Sequence, residues 1–229
     1  AAPHVLFHNS GDGTFRDASA ESQIGAARGR GQGVVAADVN QDGLTDLYVA
    51  NDMHANLLFL NQGGGRFEEA GTASGTATDS AGREKAGMGV DAADFNRDGL
   101  IDLFVTNYEG EYNSYFENLG GNPVRWAAPR YLAAGGQLIR EQAGPNGSIQ
   151  GPAEAKWGYS ILSVADWDGD GLPDIMTNGI WGKVMWYRNI GTRTAPRLAA
   201  AQPVELAPGS PAQQAPWNWW SPQGRELVS

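Results

Sequence analysis

Three acidic nonapeptides carry the clearest chemistry in this chain: Asp38-Val39-Asn40-Gln41-Asp42-Gly43-Leu44-Thr45-Asp46, Asp94-Phe95-Asn96-Arg97-Asp98-Gly99-Leu100-Ile101-Asp102 and Asp166-Trp167-Asp168-Gly169-Asp170-Gly171-Leu172-Pro173-Asp174. The shared pattern is D-x-[DN]-x-D-G-L-x-D. Side-chain oxygens at the first, third, fifth and ninth positions suit a hard cation that takes about six to eight oxygen ligands. The glycine at the sixth position permits the sharp turn that gathers them. The carbonyl of Leu44, Leu100 or Leu172 then supplies a main-chain ligand. These residues are read as three Ca²⁺ sites, since Mg²⁺ demands tighter octahedral geometry and keeps its waters.

Other acidic-loop chemistries fit less well. An EF-hand loop needs a bidentate glutamate at its twelfth position and flanking helices, whereas Val49, Val105 and Thr177 stand there and the neighbours are β-like. Thrombospondin-type repeats usually carry cysteines, and this chain has none. RTX repeats have a much shorter period. Asp-Gly turns without metal would crowd three or four carboxylates together, and like charges at such distances repel.

The loops also explain the charge. The 229-residue chain carries a net charge of −10, and the loops hold ten of its 26 acidic residues, leaving sixteen against sixteen Lys and Arg. The rest of the surface is therefore balanced, and the basic face that nucleic-acid binding requires is missing. No apolar run reaches the ~18 residues of a membrane span. The absence of cysteine removes disulfides as a source of stability, leaving bound metal as the natural substitute. Millimolar calcium is an extracellular condition, so the expected location is extracellular or cell-surface. The chain opens at Ala1 rather than Met, which reads as a processed or excised product.

The elements that position these loops repeat with them. Leu6-Phe7-His8-Asn9 through Phe15 matches Leu58-Phe59-Leu60-Asn61 through Phe67, with echoes at Tyr115-Phe116-Glu117-Asn118 and Trp186-Tyr187-Arg188-Asn189. Each is an aromatic strand ending in Asn-x-Gly, a turn signal that favours positive φ. The asparagines recur at intervals of 52, 57 and 71 residues, and the loops at 56 and 72. One unit therefore holds one loop and one hairpin.

The first unit predicts strands at 33–37, 47–51, 56–60 and 66–70. The second predicts strands at 89–93, 103–107, 114–117 and near 130–132, and the third at 160–165, 175–178, 184–188 and near 197–199. No helical periodicity is evident. Four-stranded units at this spacing imply an all-β chain of antiparallel propeller blades. The expected division is a half blade (outer hairpin) at 1–18, blades at 19–74, 75–135 and 136–200, and a Pro/Trp-rich tail at 201–229. About three and a half blades fall short of the four to eight that close a ring. The reading is of part of a larger or multi-chain propeller, completed by a protein partner or by self-association.

At these residues the chain resembles the FG-GAP/VCBS repeat superfamily, whose calcium-loop blades also build integrin α-subunit propellers. The likeness covers about residues 5–200. Residues 5–120 look most like the bacterial ASPIC-associated type, through Val5-Leu6-Phe7-His8-Asn9, Asp46-Leu47-Tyr48-Val49-Ala50-Asn51 and Leu103-Phe104-Val105-Thr106-Asn107. The later half looks like another subtype, through Trp157-Gly158-Tyr159 and Pro216-Trp217-Asn218-Trp219-Trp220. The resemblance implies a Ca²⁺-stabilised propeller, mostly non-catalytic and extracellular, from a bacterial source.

Catalytic constellations are missing from the sequence. His4, His8 and His54 form no triad or metal-ligand spacing, and neither G-x-S-x-G nor H-E-x-x-H occurs. Related propellers that are polysaccharide lyases keep an accessory role in a polysaccharide-active enzyme open. All eight tryptophans lie in the second half. Packing between blades is the expectation for Trp157 and Trp186. Trp167, inside a loop, and Trp217, Trp219 and Trp220, in the tail, are candidates for stacking on a glycan or anchoring a partner. The expected function is adhesion, assembly or protein–protein interaction without catalysis, with a lectin-like carbohydrate-binding propeller as the alternative.

Overall fold

The computed structural model describes residues 1–108, 111–139, 160–179, 184–205 and 207–208. Three four-stranded antiparallel sheets dominate it. The first runs in order through Gly31–Ala37, Asp46–Asn51, Leu57–Asn61 and Phe67–Glu69. The second contains Gly87–Ala93, Asp102–Asn107, Ser114–Phe116 and Arg130–Tyr131; the third contains Ser160–Ala165, Asp174–Gly179, Val184–Tyr187 and Gln202–Pro203. Each is a meander of sequential neighbours, the arrangement of a propeller blade. Ahead of them stands a two-stranded hairpin, Phe7–Asn9 with Phe15–Asp17. It corresponds in sequence to the third and fourth strands of a blade.

The inner two strands of each sheet are joined by an acidic nonapeptide, and its last aspartate is already the first residue of the second strand. Asp46, Asp102 and Asp174 pair with Ala37, Ala93 and Ala165 respectively. The predicted strands are thus present. The outer strand of the third sheet is Gln202–Pro203, beside Met185 and Trp186, and the predicted 197–199 lies along the same edge: the Ile190 amide donates to Arg197 O and the Ala199 amide to Arg188 O, both at 2.8 Å. Leu198 is buried, and its backbone bridges Asn189 of its own unit and Ala134 of the preceding one. Two short helical turns, Ile24–Ala26 and Gly71–Ser74, interrupt the β structure without helical periodicity in the sequence.

The core lies between the sheets. Alternation along a strand sends successive side chains to opposite faces, so the second sheet packs on the first with one face and on the third with the other. Tyr48, Ala50 and Leu58 of the first sheet meet Leu103, Val105 and Phe116 of the second. The other face of the second sheet brings Phe104 and Tyr115, with Phe95 from its loop, against Leu162, Ile175 and Tyr187 of the third. Phe95 lies edge-on to Phe104 at 5.3 Å and to Tyr115 at 5.9 Å between ring centroids, a favoured aromatic geometry.

Removing a fully buried aromatic costs transfer free energy and leaves a cavity. Phe104→Ala should therefore destabilise the chain by about 3–5 kcal/mol in urea unfolding, whereas exposed Phe7→Ala should stay within about 0.5 kcal/mol. Similar losses for the two variants would contradict this packing scheme.

Candidate metal centre

The three loops fold almost identically. In the first, the Asp42 and Gly43 amides donate to Asp38 Oδ1 at 3.2 Å and Oδ2 at 2.9 Å. Asn40 Oδ1 accepts the Asp42 amide at 3.1 Å, and Asp42 Oδ1 accepts the Leu44 amide at 2.8 Å. The second loop repeats all four bonds, with Asp94 at 3.0 and 2.9 Å, Asn96 at 3.1 Å and Asp98 at 2.8 Å. In the third, Asp166 accepts Gly171 at 2.9 Å, Asp168 accepts Asp170 at 3.2 Å and Asp170 accepts Leu172 at 2.9 Å. Backbone amides thus hold the side-chain oxygens of the first, third and fifth positions along one side of a tight turn.

The turn needs two left-handed residues. The sixth-position glycines have φ of 84°, 90° and 86°. The fourth position is left-handed too, at Gln41 (61°), Arg97 (56°) and Gly169 (74°). A non-glycine residue costs roughly 1–2 kcal/mol there. At Gln41 the cost is offset by a link to the next loop: its Nε2 donates to Gly99 O at 2.8 Å.

The ninth-position aspartates are fully buried and join loop to blade. Asp46 Oδ2 accepts the Val39 amide at 3.1 Å, and its Oδ1 accepts the Asn61 amide at 2.8 Å. Asp102 does the same with Phe95 (3.2 Å) and Asn118 (2.8 Å), and Asp174 with Trp167 (3.2 Å) and Asn189 (2.7 Å). Each of these asparagines then donates its side-chain amide to the loop's eighth carbonyl: Asn61 to Thr45, Asn118 to Ile101 and Asn189 to Pro173. Its Oδ1 accepts the amide two residues on and so closes the hairpin turn. The loop and the Asn-x-Gly hairpin therefore form one hydrogen-bonded unit. Asn118 extends it between blades, with its Nδ2 also on Val39 O at 2.7 Å.

Burial raises the pKa of two of these carboxyls, Asp46 and Asp102. Asp102 is pushed up to about 6, chiefly by desolvation, against the lowering effect of the Asn118 amide, the Tyr115 hydroxyl and the Phe95 amide. Asp46 is also raised, by desolvation first and the charges of Asp42 and Asp38 last. Tyr115, whose hydroxyl donates to Asp102 at 2.8 Å, is pushed up by burial and by that carboxylate.

The donor set suits a hard divalent cation. It contains only carboxylate, amide and carbonyl oxygens. Asp166, Asp168 and Asp174 each place a carboxylate oxygen within 4.8 Å of the others. Asp38, Asn40, Asp42 and Asp46 of the first loop and Asp94, Asn96, Asp98 and Asp102 of the second are the corresponding oxygen donors, although among the described residues only the third loop brings three carboxylates that close together. Leu44, Leu100 and Leu172 would contribute their carbonyls.

The loops differ in what faces them from the third strand. Leu60, Glu117 and Arg188 occupy equivalent places just before the hairpin asparagines. Glu117 lies 3.4 Å from Asn96 Nδ2. Arg188 reaches Asp168 at 2.7 Å and Asp170 at 3.1 Å. The third loop has aspartate where the others have asparagine, and Arg188 balances that added charge.

Of the tryptophan candidates, Trp167 is 56% exposed, although its equivalents Val39 and Phe95 are buried against the following blade. It therefore marks the trailing face of the third sheet. Trp186 is half-buried, in agreement with a packing role. Trp157, Trp217, Trp219 and Trp220 lie outside the described residues.

Four-stranded sheets packed face to face, each with an oxygen-lined loop between its inner strands, define a repeat protein of the propeller-blade class. The family model described as FG-GAP-like repeat matches residues 3–49, 38–105 and 94–177. The chain belongs to the FG-GAP-like repeat family.

Curated relatives include cartilage acidic protein 1 of Homo sapiens, 28% identical over 166 residues covering 72% of this chain and 22% of that protein. The Mus musculus protein is 32% identical over 120 residues, covering 51% and 18%, and the Xenopus tropicalis protein 28% over 179 residues, covering 76% and 24%. The chain thus spans about a quarter or less of the length of these relatives. They are vertebrate proteins and lend no support to the bacterial source or subtype expected above. Among solved structures, an Agrocybe aegerita lectin that recognises non-reducing terminal N-acetylglucosamine has a TM-score of 0.47 at 18% identity, covering 88% of this chain and 46% of that one.

The raised carboxyl makes a signed prediction. Asp102 binds its proton more tightly in the fold than in the unfolded chain, where it titrates near 3.9. The resulting stabilisation is full below that value and is lost as pH rises through about 6. In chelator, lowering the pH from 7 to 4.5 should let this group add about 2 kcal/mol. Urea unfolding of the parent and of Asp102→Asn measures it. An unchanged pH slope in the variant would contradict the assignment.

Proposed function

We propose that this chain is a calcium-stabilised, non-catalytic segment of a β-propeller that works outside the cell in adhesion, assembly or protein–protein interaction. The observation that carries the reading is the threefold repeat of one oxygen-lined loop, tied by a buried aspartate to the third strand of its own blade. Such a loop is costly without a counter-ion, because its carboxylates repel each other and the ninth-position residue is desolvated. A divalent cation would remove both penalties while fixing the turn between the inner strands. In the third loop Arg188 already offsets part of the charge, and a cation there would share Asp168 and Asp170 with its guanidinium.

Millimolar extracellular calcium suits these sites. The curated relatives named cartilage acidic protein 1 share the chain's acidic character. Among the described residues no helix is long and apolar enough to cross a membrane. The blade division at 1–18, 19–74, 75–135, 136–200 and 201–229 belongs to this proposal, with the third blade extended to take in Gln202–Pro203.

A lectin-like reading rests on the exposed indole of Trp167. Interaction with protein is preferred, because the equivalents of Trp167 at the other two loops serve blade packing.

Calorimetry with calcium and with chelator tests the stabilising role. At calcium 100 times its dissociation constant each independent site adds about 2.7 kcal/mol. For a chain of this size that amounts to a rise of about 5 °C or more in melting temperature per site. Equal melting temperatures in calcium and chelator would reject the proposal.

A further inference from the structure

The third loop differs from the other two in what holds its oxygens. In the first loop Asn40 Nδ2 donates to Asp42 Oδ2 at 3.0 Å, and in the second Asn96 Nδ2 donates to Asp98 Oδ2 at 3.1 Å. The third loop has Asp168 at that position and so lacks the donor. Arg188 supplies it from the third strand: its Nη2 donates to Asp170 Oδ2 at 3.1 Å. Its Nε meets Asp168 Oδ2 at 2.7 Å. The other oxygens of both carboxylates are used within the turn, Asp168 Oδ1 by the Asp170 amide and Asp170 Oδ1 by the Leu172 amide. The chain's own groups thus satisfy both carboxylates.

The surroundings differ in charge as well. The residue before the hairpin asparagine is neutral Leu60 at the first loop, cationic Arg188 at the third, and at the second Glu117, itself paired with Arg130 at 2.6 Å. A second guanidinium approaches the third loop from the preceding one. A methyl group built on Gly171 would stand 3.8 and 3.9 Å from the terminal nitrogens of Arg97. Its equivalent in the first loop, Gln41, is uncharged and donates to Gly99 O. The third loop therefore has one carboxylate more than the others, but it is also the loop with cationic side chains against it.

We propose that Arg188 makes the third loop the weak, exchangeable calcium site of this chain, filled after the first and second. An ion entering it must share or displace the guanidinium on Asp168 and Asp170. It also gains less, because part of the repulsion between carboxylates has already been relieved. The Arg188 side chain is 44% exposed, so its effect is that of a charge in water-like surroundings, about a tenfold loss of affinity for a divalent ion. Without calcium the guanidinium keeps the third turn in place, whereas the first and second have only their own amides. This inference rests on the cation reading above and adds that one loop responds to a fall in calcium that leaves the other two filled.

Titration calorimetry of the whole chain with calcium tests it, in the parent and in Arg188→Leu, which gives the third loop the residue type that the first has in Leu60. The parent should bind two ions tightly and a third about tenfold more weakly. Arg188→Leu should tighten the third about tenfold and leave the others unchanged. Arg188→Gln removes the charge but keeps a polar side chain; it should give the same shift, and it keeps the test open if the leucine variant does not fold.

Terbium assigns the shift to its loop. Trp167 lies inside the third loop, where Val39 and Phe95 stand in the others. Indole-sensitised terbium emission that disappears in Trp167→Phe therefore reports on that loop, and it should appear at lower terbium concentration once Arg188 is replaced. Three equal calcium affinities in the parent, affinities that ignore both Arg188 substitutions, or a shift that Trp167 does not sense would overturn the proposal and leave the cation reading standing. A chain that binds no calcium at any loop would overturn both.

Discussion

Each blade depends on one buried carboxylate. Asp46, Asp102 and Asp174 have no exposed surface, and an ion in such a place is tolerated only when it is hydrogen-bonded and balanced. Each accepts one amide from its own loop and one from the hairpin asparagine, so a single side chain joins three strands. The inner turn, the second strand and the third-strand hairpin therefore keep one register. Bonding to two amides offsets part of the desolvation. The remainder, visible in the elevated Asp102 carboxyl, is where the proposed divalent cation would contribute most.

From that unit the larger structure follows by repetition. A fixed register sets which residues of the second and third strands face each neighbouring sheet, and the two intersheet cores are built from equivalent positions. The loops are also connected in series. Gln41 reaches the glycine of the second loop, and Asn118 reaches the second residue of the first. Order in one loop is thus shared with the next, and the edge of the blade stack is where this sharing stops. The exposed Phe7 and Val34 at the leading side and Trp167 at the trailing side are residues of the same pattern that lack a neighbour among the described residues.

Much of this was legible in the sequence because repetition amplifies weak signals. The acidic loops and the Asn-x-Gly hairpins advance together, and that co-movement was enough to place the strands. Its cause was not legible. The aspartate and its asparagine are fifteen or sixteen residues apart, and no local pattern announces a side chain that bonds a distant amide. The left-handed fourth position escaped notice because Gln41 and Arg97 are unusual there, with glycine only at the third loop. The outer edge of the third sheet was legible at 197–199, where Leu198 pairs with Asn189, but its continuation at Gln202–Pro203 was not, because a two-residue edge strand has no periodicity. The pairing of Arg188 with Asp168 and Asp170 was not legible either, because eighteen residues separate Arg188 from Asp170 in the sequence.

The central claim is that the three loops hold hard cations. Flow dialysis with radiolabelled calcium, on the whole chain after exhaustive chelation, measures the bound ion per chain directly. The account predicts saturation at three per chain, one for each acidic nonapeptide, falling to two in a chain whose Asp98 and Asp102 are both changed to Asn. A chain that binds no calcium at millimolar concentration, or whose stoichiometry ignores those substitutions, would contradict it.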